Sequence, residues 1–184
     1  MASANRQRQG GWRWVVCAVV AATCSAPCVH AQQAPAPGAV GRLRPCDEKA
    51  AALLQAGIAR SATFRLLVET IEQSDLVVYV ETRQLAFPGQ LQFMSATPGG
   101  RYVRVAVRPM GLDNDLVPWL AHELWHAVEV AGAPEVRDRA SLLRLYERIG
   151  DGFRARGRVE METVKAQKTQ ETVLHELRGC RSGR

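Results

Sequence analysis

The sequence predicts an α+β fold, a small antiparallel sheet packed with helices. Three observations carry that expectation. Between residues 76 and 108 the apolar side chains fall in short β-branched or alternating runs, Leu76–Val80, Leu91–Ser95 and Tyr102–Arg108, the period-2 mark of strands. Before them Phe64, Leu67, Val68 and Ile71 follow the i, i+3, i+4, i+7 spacing of one helical stripe. After them residues 116–131 are apolar for more than four turns and stop at Gly132-Ala133-Pro134.

The elements follow in order. Residues 1–31 carry Arg6, Arg8 and Arg13 without an acidic residue, then an apolar run from Trp14 to Ala22 and a small-x-small end at Val29-His30-Ala31. That is the layout of a secretory signal peptide, so a secreted or periplasmic location is expected. The apolar run falls short of the roughly 20 residues that span a bilayer, so no stable membrane anchor is expected. Residues 32–45, rich in Pro, Ala and Gly, read as a flexible leader. Residues 46–184 are then one domain, of a size able to bury a core.

An Ala/Leu-rich helix is expected from Asp47 to about Gly57, and Ser61 can cap a second. Leu76–Val80 reads as a buried strand, and Thr97-Pro98-Gly99-Gly100 as the turn of a hairpin. In the following strand Val103, Val105 and Val107 face the core and Tyr102, Arg104, Ala106 and Arg108 face water. Asp113, Asn114 and Asp115 offer N-caps to the apolar helix, with Pro118 in its first turn. Asp138 caps a helix that Gly150 ends, residues 150–158 form a basic, Gly-rich loop, and a last helix runs from about 159 to 178.

Charge and cysteine use both change when the signal is removed. With its three arginines gone, 21 basic residues stand against 18 acidic ones, too even a balance to call for nucleic acid. Two cysteines remain, Cys46 and Cys180, and in an oxidising compartment such a pair suggests a disulfide bond joining the two ends of the domain.

The chemistry concentrates in His122-Glu123-Leu124-Trp125-His126. Two histidines four residues apart share one helix face, close enough for both imidazoles to reach one zinc ion. Glu123, one residue on, can lean over the metal without binding it and serve as a general base. This pentapeptide, within uncharged flanks, resembles the HExxH signature of the zincin metallopeptidases. The resemblance implies Zn2+ on His122 and His126, a catalytic Glu123 and a peptide or protein substrate.

A third ligand is also implied. The metzincin pattern does not fit, since Glu129 stands at its glycine position and Gly132 at its third histidine. The gluzincin type places a Glu on a later helix. Glu162 ranks first, because it falls on the apolar stripe Val159, Ala166, Val173 and Leu177; Glu129, on the face of the histidines, is second and Glu160 third. The gluzincin pattern also carries an Asp four residues beyond that Glu, where this chain has Ala166. In zincins the strand before the metal helix is the edge strand that pairs with substrate, here 101–108. Tyr102, Tyr146 and His175 are the candidate oxyanion donors. The reading is therefore an exported, monomeric zinc-dependent hydrolase, a small metallopeptidase. Its alternative is an inactive zincin-fold binding or structural module that holds zinc.

Overall fold

A computed structural model describes residues 41–109, 116–150, 154–155, 158–159 and 162–179. The expected signal peptide, the caps at 113–115, Glu160 and Cys180 lie outside these residues. The α+β class is observed: four strands form one mixed sheet packed with five helices.

The chain runs through β1 (Leu43–Pro45), α1 (Glu48–Arg60), α2 (Ala62–Glu72), β2 (Leu76–Thr82), β3 (Gly89–Thr97) and β4 (Gly100–Val107). Then follow α3 (Leu116–Ala131), α4 (Arg139–Ile149), the short pair β5 (Arg154–Ala155) and β6 (Arg158–Val159), and α5 (Val164–Gly179).

Local chemistry sets most boundaries. Asp47 caps α1 by accepting from Ala50 N at 2.8 Å, and it also accepts from Thr82 N at 2.7 Å, so the start of α1 is tied to the end of β2. Ser61 caps α2 and bonds to Glu176 of α5. Asp138 and Ser141 form a reciprocal capping box on α4.

The sheet differs from the antiparallel expectation. Its order is β1-β2-β4-β3, with β1 and β4 both parallel to β2 and only β3–β4 antiparallel. The hairpin at 97–100 forms as expected. Gly100 has φ +151, and an added Cβ would stand 2.7 Å from the Asp75 carbonyl oxygen, so this turn requires glycine. β4 folds back between β2 and β3, so residues 101–107 are an interior strand and β3 is the edge. The unbroken apolar run of β2 is the mark of a parallel strand covered on both sides.

Two further expectations are corrected. Leu43–Pro45, read as the end of a flexible leader, is an edge strand paired with Val78–Val80. Glu72 fixes its approach by accepting from Arg42 N at 2.8 Å and Leu43 N at 3.0 Å. The last helix begins at Val164 rather than 159, because Thr163 caps it, its hydroxyl accepting from Ala166 N at 3.2 Å. Val159 belongs instead to the β5–β6 ladder within the expected loop.

The core joins the sheet to the helices through Val78, Val80, Val103 and Val105 on one side and Phe64, Ile71, Leu120 and Leu124 on the other. Cys46 carries an exposed, unbridged thiol. None of the described helices is long and apolar enough to cross a membrane.

One buried cation fixes the end of α3. Arg101, 1% exposed, donates from Nη1 to Val130 O at 2.8 Å and Ala133 O at 2.6 Å, and from Nη2 to Ala131 O at 3.0 Å. Its other face bonds Asp75 at 2.9 and 2.7 Å. The guanidinium thus supplies a donor to Ala131 O and a second donor to Val130 O and Ala133 O, which also accept from Ala133 N and Val136 N, and its charge suits a helix C-terminus.

Arg101→Met should leave the Ala131 carbonyl without its donor and lower unfolding free energy by about 1–3 kcal/mol, the cost of one buried unsatisfied acceptor. Urea denaturation measures it. The Arg101 hydrogen bond, opposed by partial burial, holds the Asp75 carboxyl below its ordinary 3.8. A lowered carboxylate pKa stabilises the fold above the unfolded value, and that contribution is lost as pH falls through the folded one. The thermal midpoint of Asp75→Asn should thus start lower at neutral pH and fall less steeply than wild type below about pH 4.

Candidate metal centre

α3 is apolar on nearly every side, and its interior position comes from that composition. It nevertheless buries three ionisable side chains, with His122 and Glu123 5% exposed and His126 4%. Such groups are tolerated only where each has a partner.

The two imidazoles are four residues apart on the helix, with centroids 4.9 Å apart and planes at 76°. Each is anchored through Nδ1. His122 Nδ1 donates to Gln170 Oε1 of α5 at 3.0 Å, and His126 Nδ1 donates to Glu129 Oε2 at 2.8 Å. Both Nε2 atoms are thereby turned toward one point and stand 3.2 Å apart. Glu162 Oε1 lies 3.3 Å from His122 Nε2. One ligand atom from each of His122, His126 and Glu162 lies within 4.8 Å of the other two, and this group could hold a metal ion.

Glu162 reaches the histidines from the segment before α5, not from a helical stripe. The sequence ranking of this residue rested on a helix that does not extend so far, yet the carboxylate arrives at the same place. Thr163 explains how. Its hydroxyl donates to Glu129 Oε1 at 2.7 Å while capping α5, so the residue next to Glu162 is moored to α3. Trp125 Nε1 donates to the same oxygen at 2.8 Å. Glu129, ranked second as a third ligand, instead orients a histidine and fixes the approach of Glu162.

Charge follows from these contacts. Burial, then the charge of His126, lowers the His122 pKa to about 4. Burial also opposes charge on His126, but the Glu129 hydrogen bond and the carboxylates of Glu123, Glu129 and Glu162 outweigh it, and its pKa is raised. Burial would raise Glu129 too, but the bonds from His126, Thr163 and Trp125 hold it below its ordinary value. Burial therefore favours a neutral His122, whereas the surrounding carboxylates favour a proton on His126. Burial raises Glu123 to about 7, with Glu162 adding to the rise and His126 opposing it. A carboxyl group near that value can both accept and return a proton at neutral pH.

Of the three oxyanion candidates, only Tyr146 lies at the site. Its ring packs edge-on against His126 at 5.4 Å. Its buried hydroxyl closes no hydrogen bond of good geometry. Burial, and then the nearby charge of Glu129, raise its pKa well above the ordinary value. Tyr102 alternates with core-facing Val103 and so points to the other sheet face. His175 is exposed on α5.

Sequence reasoning missed Gln170, Thr163 and Gly89. Gln170 had a signal, a polar residue set within the buried stripe Ala166, Thr169, Val173 and Leu177. An ideal Cβ added to Gly89 would stand 2.6 Å from Glu123 Cγ and 2.8 Å from its Cδ. No local pattern announces that contact.

Compared with family models, curated proteins and solved structures, the chain matches none.

Removing the carboxylate behind His126 tests the construction. Glu129→Gln should weaken divalent-metal affinity about 10–100-fold while the chain stays folded, as loss of such a ligand-orienting group does elsewhere. Competition titration against a chromogenic chelator reads the change.

Proposed function

We propose that this chain is an exported zinc-dependent hydrolase, a small zincin-like metallopeptidase of the gluzincin type, with His122, His126 and Glu162 as ligands and Glu123 as general base. The observation that carries this reading is the convergence of two Nε2 atoms and one carboxylate oxygen beside a buried Glu. Tetrahedral zinc with bonds of about 2.0–2.1 Å sets its ligand atoms roughly 3.3–3.4 Å apart. The separations of 3.2 Å and 3.3 Å at His122 Nε2 fit that requirement. Two imidazoles and a carboxylate are also the donor set of catalytic zinc, and both rings are backed through Nδ1 as ligating histidines are.

Zinc bound there supplies a Lewis acid and lowers the pKa of water toward neutrality. The protein's own groups do the rest. Glu123 accepts a proton from the attacking water and passes it to the leaving nitrogen, a double role suited to its raised pKa. Gln170 and Glu129 keep the imidazoles in the tautomers that present Nε2. β3, whose outer edge has no strand partner among the described residues, offers backbone groups to an extended substrate strand. That assignment passes from β4 to β3, since β4 is paired on both sides.

One observation favours the second reading, a zinc-holding structural or binding module without turnover. His122, Glu123 and His126 are at most 5% exposed, whereas a substrate must reach the metal.

The purified chain should contain one zinc per molecule by elemental analysis. His126→Ala should lose the metal, and Glu162→Ala should weaken it. Glu123→Ala should retain zinc while hydrolysis of a mixed peptide library falls by at least about 100-fold, the lower range for general-base catalysis. Full zinc with no cleavage by wild type would select the second reading. A wild-type chain that takes up no zinc would falsify both.

A further inference from the structure

Gly89 is the first residue of the edge strand, and it lies directly under the Glu123 carboxyl group. An added Cβ there would meet Oε1 closest, then Cγ at 2.6 Å and Cδ at 2.8 Å. Real Cβ atoms do not approach other atoms so closely, so a side chain at position 89 forces something to move.

The strand is poorly placed to yield. Gly89 pairs with Val107 at the end of the β3–β4 ladder. Arg108 N donates to Pro88 O at 2.8 Å, Arg83 N donates to Val107 O at 3.1 Å, and Arg108 Nη1 donates to Leu85 O at 3.3 Å. The segment entering β3 is therefore laced to the end of β4. α3 is itself held by core packing through Leu120 and Leu124. What remains to give way is the Glu123 side chain.

The displacement would matter because Glu123 lies within electrostatic reach of His126 and Glu162. Among the described glycines, Gly57 makes room for the Phe64 ring and Gly100 serves a turn. Gly89 alone makes room for an ionisable group of the site. A glycine inside a strand commonly marks such a close approach.

We infer that Gly89 is a positioning residue: hydrogen in place of a side chain lets the Glu123 carboxylate stand against the edge strand, within the helical turn that carries His122 and His126. The inference rests on the metal reading above for its functional half and on geometry alone for its contact half.

The test separates the two halves. In metal-free protein, thermal midpoints are measured for wild type, Gly89→Ala, Glu123→Ala and the double variant. Gly89→Ala should lower the midpoint when Glu123 is present and leave it nearly unchanged when residue 123 is Ala, the non-additivity expected of groups in contact. In the cobalt(II)-loaded protein, Gly89→Ala should keep one metal per chain. Its visible absorption spectrum should depart from wild type in the same direction as that of Glu123→Ala. On labelled casein, kcat should fall about 100-fold with KM unchanged, as a misplacement of ~1 Å does.

Should Gly89→Ala not fold alone, recovery of folding in Gly89→Ala/Glu123→Asp, where the carboxylate is one methylene shorter, supports the same contact. Additive midpoints with a wild-type cobalt spectrum overturn the inference. Failure of wild type to bind cobalt defeats the metal reading instead, and the metal-free cycle still decides the contact.

Discussion

A helix enclosed by its own domain cannot carry two histidines unless each finds a partner, and this requirement organises the molecule around α3. Its apolar residues pull it into the interior. The polar turn from His122 to His126 must then be satisfied from within reach of the helix. Glu129, one turn further along, meets His126, and Gln170 meets His122 from α5. The carboxylate of Glu162 completes the third side. With Nδ1 of each ring tied off, the two Nε2 atoms have no direction left but toward each other.

The rest of the fold holds that arrangement still. Arg101 reaches from β4 to cap the C-terminus of α3 and is braced in turn by Asp75. Glu176 of α5 bonds Ser61 and Thr63 at the start of α2, fixing α5 against the helical layer. Thr163 caps α5 and moors it to Glu129. Each link is a polar group satisfying the end of a helix or the back of a ring. The site geometry is therefore set by hydrogen bonds whose absence would leave buried groups without partners.

The carboxylates divide their labour by environment. Glu129 receives three donors and stays below its ordinary pKa, a fixed negative charge behind His126. Glu123 receives none of these and lies against the backbone of β3, where burial raises it to about 7. Two acids within one helix are thus pushed apart in proton affinity, one to hold an orientation and one able to move a proton.

Much of this was legible in the chain. The spacing of His122, Glu123 and His126, the caps at Asp47, Ser61 and Asp138, and the hairpin at Pro98-Gly99-Gly100 depend on residues close in sequence, and short-range geometry fixes them. The α+β class follows from the change of period between residues 71 and 116. Strand order, the edge position of β3, the parallel pairing of β1 and β2, and the shorter last helix were decided by tertiary structure. They depend on which strand β4 folds against and on Thr163 finding Glu129. Gln170, Arg101 and Gly89 belong to the same class, because their roles arise from atoms 34–48 residues away for Gly89 and Gln170 and 26–32 for Arg101. A sequence displays what a residue can offer over one or two turns; packing alone decides which distant group receives it.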